Sequence, residues 1–174
     1  PYPLAASAFT WVDVRDGVQI YENPCWLPRA FLVGRVVPQD TPEAALAWIQ
    51  RHDVTRAAAV ENGPPLDSGP VRGRVEGKAE TPDRWRLRVT TDRKAFLVLS
   101  LSWHPDWKAW VDGRPAPLYR TNGTLTGLYV PAGTHQIELR FHARAYTLGM
   151  VVSLLSHVLV GILVFVPGRS HPTG

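Results

Sequence analysis

The sequence predicts a mainly β fold: a jelly-roll-like antiparallel β-sandwich with one flanking α-helix and a C-terminal transmembrane helix. Three observations lead there. Turn signals recur about every ten residues through the C-terminal half, the spacing of an all-β chain. Residues 84–90 (RWRLRVT) alternate strictly between polar and apolar side chains, the period of a half-buried strand. Residues 146–166 form a run of 21 without a formal charge, roughly 31 Å as a helix and close to the thickness of a bilayer's hydrocarbon core.

The composition bounds the alternatives. A chain of 174 residues suits a single domain, and 45% hydrophobic against 20% charged residues excludes a disordered one. Sixteen Pro and 14 Gly fall without a period, which excludes collagen and implies many turns. One cysteine, Cys25, excludes an internal disulfide framework and a Cys-rich zinc module. The formal charge of +4 comes with no nucleic-acid-binding motif, so nucleic acid is not an expected partner.

Taken in order, residues 1–16 read as the lead-in of a piece from a longer protein, beginning PYPLAASAF without an initiator Met or a signal-peptide pattern. The main domain spans residues 17–143. Gly17–Glu22 and Ala30–Val37 are its first strands, the second closed by Pro38. Thr41-Pro42-Glu43 supplies an N-cap hydroxyl, a proline at the first helical position and a carboxylate against the positive helix end. The helix then runs to about His52 with Ala45, Leu46, Trp48 and Ile49 as its apolar stripe. Ala57–Val60 is a further strand and Asn62–Pro70 a loop. After Val71 come strands at Arg84–Thr90, Ala95–Leu101, Trp107–Val111, Pro115–Arg120, Leu125–Val130 and His135–Phe141. The turns between the later strands are Asp112-Gly113, Asn122-Gly123 and Pro131–Thr134. Ala95–Leu101 is apolar on both faces and so belongs in the middle of a sheet. Residues 146–166 are the expected span and 167–174 a short tail.

The richest chemistry lies in Trp103–Gly113 (WHPDWKAWVDG). Trp103 and Trp110 offer faces that stack on sugar C–H groups, and Asp106 and Asp112 offer carboxylates that accept hydroxyl protons. The same residues have a purely structural reading: Trp107, Ala109 and Val111 share an inward strand face, and Asp112-Gly113 builds a turn. Arg84, Arg86 and Arg88 make a basic stripe suited to phosphate or anionic headgroups, or simply a solvated sheet face. His104, His135 and His142 lack metal-ligand spacing, whereas His157 sits inside the apolar run. Asn122-Gly123-Thr124 matches a glycosylation sequon and equally a tight turn. No nucleophile–base motif, P-loop or dinucleotide fingerprint is present, so neither a catalytic residue nor a cofactor is assigned. Carboxylates for sugar hydrolysis need only be near in space; Asp106 and Asp112 are the foremost pair for a hydrolase reading, which would need two acidic residues roughly 5–10 Å apart.

Three blocks resemble a known family. YENP at Tyr21–Pro24 followed by LPRAFLV, FLVLSLSWHPDWKAWVDGRPAPL at Phe96–Leu118, and LYVPAGTHQIELRF at Leu128–Phe141 are similar, in order, to stretches of the bacterial YfhO-like membrane proteins. Asp106 departs from the glycine usual in that family's turn. The resemblance implies a C-terminal extracytoplasmic domain of a polytopic membrane protein related to GT-C glycosyltransferases, which use polyprenyl-phosphate sugars. It implies a location at the bacterial cell membrane. The implied partners are membrane lipid, the N-terminal membrane helices of the same chain and an envelope glycopolymer. The acidic residues of those enzymes lie in extracytoplasmic loops near the N-terminal membrane helices, so no catalytic residue transfers to this sequence. The resulting expectation is a non-catalytic accessory domain; the alternative is a membrane-anchored carbohydrate-binding or adhesion module.

Overall fold

A computed structural model describes residues 9–24 and 26–165. Cys25, the first half of the expected lead-in and the expected tail, with Val166, lie outside the described residues. The described residues divide between Phe141 and His142 into two units. The first holds β1 (Thr10–Arg15), β2 (Val18–Glu22), β3 (Ala30–Val33), β4 (Arg35–Gln39), α1 (Pro42–Ile49), β5 (Ala57–Glu61) and β6 (Leu66–Asp67). It continues with β7 (Gly73–Thr81), β8 (Arg84–Thr91), β9 (Ala95–Ser102), β10 (Trp107–Val111), β11 (Arg114–Ala116), β12 (Tyr119–Thr121), β13 (Leu125–Val130) and β14 (Gly133–Phe141). The second holds α2 (Arg144–Phe165).

The chain is mainly β and mostly antiparallel, but it is not a jelly roll. A smaller sheet has the order β11-β10-β14-β8-β7, a larger one the order β3-β9-β13-β12-β5-β4-β6, and β1-β2 form a separate hairpin. Within the larger sheet β4 and β5 run parallel, joined through α1, a βαβ crossover that an all-antiparallel sandwich lacks. Its first strand and its sixth, β3 and β4, are separated in the chain by Gly34 alone. Val33 and Arg35 are thus at most about 7 Å apart, whereas five inter-strand steps across a flat sheet would be roughly 24 Å. The larger sheet therefore curls back on itself. Val33, Val36, Ala58, Val60, Phe96 and Val98 fill the curl, with Tyr119 and Tyr129 packed against them.

Alternate residues of the same strands point the other way. Leu97, Leu99, Leu128 and Val130 meet Trp85, Leu87, Val89, Trp107, Ile137 and Leu139 of the smaller sheet in the principal core. β9 serves both cores, and Ala95 to Leu99 have no exposed surface. The strand expected over Ala30–Val37 is two strands because the chain crosses the sheet seam at Gly34, where a Cβ would stand 1.9 Å from the Gly69 carbonyl oxygen. The stretch expected as Pro115–Arg120 likewise divides into β11 and β12, one in each sheet. β1, within the expected lead-in, pairs with β2.

Helix α1 begins as its residues require: Thr41 Oγ1 accepts from the Ala44 N–H at 3.1 Å, and Pro42 occupies the first turn. It stops before His52 because the Trp48 carbonyl accepts from the Arg51 N–H at 3.1 Å and meets His52 Nδ1 at 2.7 Å. A continued helix would give that carbonyl to the His52 backbone instead.

The expected C-terminal span is corrected. Among the described residues, no helix is long and apolar enough to cross a membrane. α2 opens on Arg144, and Ser153, Ser156 and His157 interrupt its apolar surface.

Two substitutions test this packing. Gly34→Ala should lower the unfolding free energy by about 2 kcal/mol or more in urea titration, because the Gly69 backbone cannot yield without opening the seam. Thr126→Val should raise it by about 1 kcal/mol, since Thr126 Oγ1 is buried with no hydrogen-bond partner among the described residues.

Candidate functional site

The register of β9 against β13 shifts between Leu125 and Thr126, whose partners are Ser102 and Leu99. This bulge lengthens the end of β9 and re-aims the residues beyond it. The Trp103 N–H then donates to the Thr124 carbonyl at 2.8 Å. The half-buried indole lines a cleft of about 270 Å³ with Glu61, Asn62, Leu118, Tyr119 and Arg120. β12 and β5 meet through Thr121 and Val60, so their neighbours Arg120 and Glu61 stand side by side, Nε to Oε2 at 3.4 Å. Asn62 leaves β5 with φ +52°, a left-handed conformation that asparagine tolerates. The cleft thus combines an indole, a phenol and a charge-balanced set of planar hydrogen-bonding groups. The indole was legible in the sequence; Glu61, Asn62 and Arg120 were not, because only the β5–β12 pairing brings them to it.

The other three carbohydrate candidates lie elsewhere. Asp106 is in the turn before β10, where its N–H donates to His104 Nδ1 at 3.2 Å. Trp110 is half-buried on the outer face of the smaller sheet, with the Arg140 guanidinium 5.5 Å from its ring centre. Asp112 closes the far end of β10 with φ +50°. Its Oδ1 accepts from the Gln136 N–H at 2.7 Å and its Oδ2 lies 2.6 Å from His135 Nδ1. Asp106 and Asp112 are separated by the whole of β10, roughly 20 Å of strand, so they do not form the convergent pair a glycosidase needs.

Arg84, Arg86 and Arg88 point outward from β8, as their alternation requires, but they are not free. Arg84 Nε donates to Glu138 Oε1 at 2.9 Å, Arg86 Nη1 to Glu80 Oε1 at 3.0 Å, and Arg88 Nε to the Gln136 amide oxygen at 3.1 Å. Arg140, then Arg84, hold the Glu138 carboxyl down to about 2. Asn122 is buried, its side-chain oxygen accepting from the Ala59 N–H at 2.9 Å, so the sequon serves the turn. Tyr129, whose hydroxyl donates to the Pro64 carbonyl, is pushed up to about 12 by burial and then by neighbouring Tyr119.

His135 joins two turns. Besides Asp112, its ring meets the Ala132 carbonyl through Nε2 at 3.2 Å. Two acceptors on one ring favour the doubly protonated form. The Asp112 hydrogen bond raises the His135 pKa, against a smaller effect of burial, and His135 together with the Gln136 N–H lowers that of Asp112. The Asp112 contribution to stability is present above the ordinary carboxylate range and is lost as pH falls through its depressed pKa. The His135 contribution is present below about pH 6.5 and is lost as pH rises through its elevated value. Compared with His135→Gln, the wild-type chain should therefore hold a larger stability advantage at pH 5 than at pH 9 in matched thermal unfolding. An advantage independent of pH would contradict the charged pair.

Residues 75–153 match the family model of the bacterial membrane protein YfhO. No curated protein and no solved structure matches the chain. The matched stretch takes in nearly all of the smaller sheet, strands β9, β12 and β13 of the larger one, and the start of α2. Over this stretch, a little under half of the chain, the sequence is similar to a YfhO-like domain of bacterial membrane proteins.

Proposed function

We propose that this chain is a non-catalytic accessory domain of a YfhO-like, glycosyltransferase-related membrane protein. It stands outside the cytoplasm and guides a cell-envelope glycopolymer toward the membrane part of the same protein. The Trp103 cleft carries the reading. A sugar ring laid on the indole brings its hydroxyls within the reach of Glu61, Asn62 and Arg120, which between them donate and accept. The Arg120–Glu61 pair is neutral as a unit, so the cleft suits an uncharged sugar face. The separation of Asp106 from Asp112, and the capture of both Asp112 oxygens by His135 and Gln136, support guidance over bond-making.

Titrating the chain with neutral hexose oligosaccharides should shift the Trp103 indole N–H resonance, with a dissociation constant in the millimolar range. Trp103→Ala should abolish binding, and Arg120→Gln should weaken it several-fold. An unperturbed Trp103 resonance would remove the glycan role. Sugar transfer from a polyprenyl-phosphate donor by residues 1–174 alone would overturn the non-catalytic one.

A further inference from the structure

The outer face of the smaller sheet is overcharged in a patterned way. The register sets Lys108 opposite Arg140 and Arg140 opposite Arg84, placing three cations abreast on β10, β14 and β8. Like charges directly opposite each other destabilise a sheet, so a merely solvated face gives no reason for such a row. The next row along places Trp110 opposite Glu138 and Glu138 opposite Arg86. Glu138 is the only carboxylate among these positions. Its Oε1 lies 2.9 Å from Arg140 Nε, 2.9 Å from Arg84 Nε and 3.9 Å from Arg86 Nε. Glu80 adds a second carboxylate from β7, against Arg84 and Arg86. Arg74 and Glu76, also on β7, pair with each other at 2.8 Å. Arg84, Arg86, Arg88, Lys108 and Arg140 together therefore face Glu80 and Glu138 with a clear positive excess. Lys108 is exposed and, among the described residues, donates only to the Pro105 carbonyl, at 3.3 Å. Arg140 lies over Trp110, whose amphipathic indole is a side chain typical of the lipid–water interface.

We propose that this face docks on the phosphate headgroups of an anionic lipid leaflet, with Lys108, Arg140 and Arg84 as the contact row and Trp110 beside them. Glu138 holds two guanidiniums in place, and its single charge does not neutralise them. Headgroup phosphates complete the balance as charge-assisted acceptors. Lipid is favoured over a soluble polyanion because four of the sheet's five strands, and all but the first two residues of the fifth, fall inside the match to a membrane-protein family. The Trp103 cleft plays no part in this docking.

Co-sedimentation of the whole chain with phosphatidylcholine vesicles, with and without about one-third phosphatidylglycerol, tests it. Apolar attraction from any part of the chain is common to both compositions, so their difference isolates charge. Partitioning should be on the order of tenfold stronger on the anionic vesicles, and the difference should vanish near 1 M salt. Lys108→Glu should remove most of the difference, since Lys108 makes no ion pair among the described residues. Arg140→Gln should reduce it while Arg84 continues to hold Glu138, with thermal unfolding confirming that each variant folds. Equal partitioning on both compositions would overturn the proposal, as would an anionic preference unchanged by Lys108→Glu. Binding of soluble poly(glycerol phosphate) without a vesicle preference would overturn lipid as the source of the phosphate.

Discussion

Strand β9 has to hide both of its faces, and the architecture follows from that constraint. Phe96 and Val98 point into the curl of the larger sheet, while Leu97 and Leu99 point at the smaller sheet, all without exposed surface. One flat sheet packed on another would bury only one of these faces. The larger sheet resolves this by rolling up, and it can do so only because β3 leads into β4 through a residue with no side chain. At Gly34 the strand and the Gly69 backbone approach closer than a Cβ allows. A backbone–backbone contact thus sets the shape that the apolar residues require.

The candidate sites are consequences of the same geometry. Rolling the sheet brings β12 against β5, which juxtaposes Arg120 and Glu61, and the bulge in β9 turns Trp103 toward them. On the smaller sheet, antiparallel pairing sets the outer side chains of β8, β14 and β10 in rows, so that a single carboxylate serves several guanidiniums. The inner faces of the strands are spent on the cores, and both polar constellations form from the remainder: one at a strand end, the other on an open face. Such placement leaves the chemistry free to vary without disturbing the packing.

Much of the strand inventory was legible because it rests on local physics. The alternation of Arg84–Thr91 makes one face buried and one solvated wherever the strand is placed. The unbroken apolar character of Ala95–Leu99 demands a central position. Asp112-Gly113 and Asn122-Gly123 adopt the left-handed conformations that their turns require. The helix start at Thr41-Pro42 needs only its own residues. The resemblance to YfhO-like proteins was likewise readable, since it lies in the order of short stretches.

Sequence alone therefore determined strands β2, β5, β8–β10, β13 and β14, the later turns, the start of α1 and the family resemblance, each a property of neighbouring residues. Tertiary structure decided the curl, the parallel β4–β5 pair and the division of Trp103, Asp106, Trp110 and Asp112 among separate places. It also decided that Arg84, Arg86 and Arg88 act with Glu138, Glu80 and Gln136. These depend on which strands become neighbours across long stretches of chain, a choice made by burial summed over the whole domain and not by any local pattern.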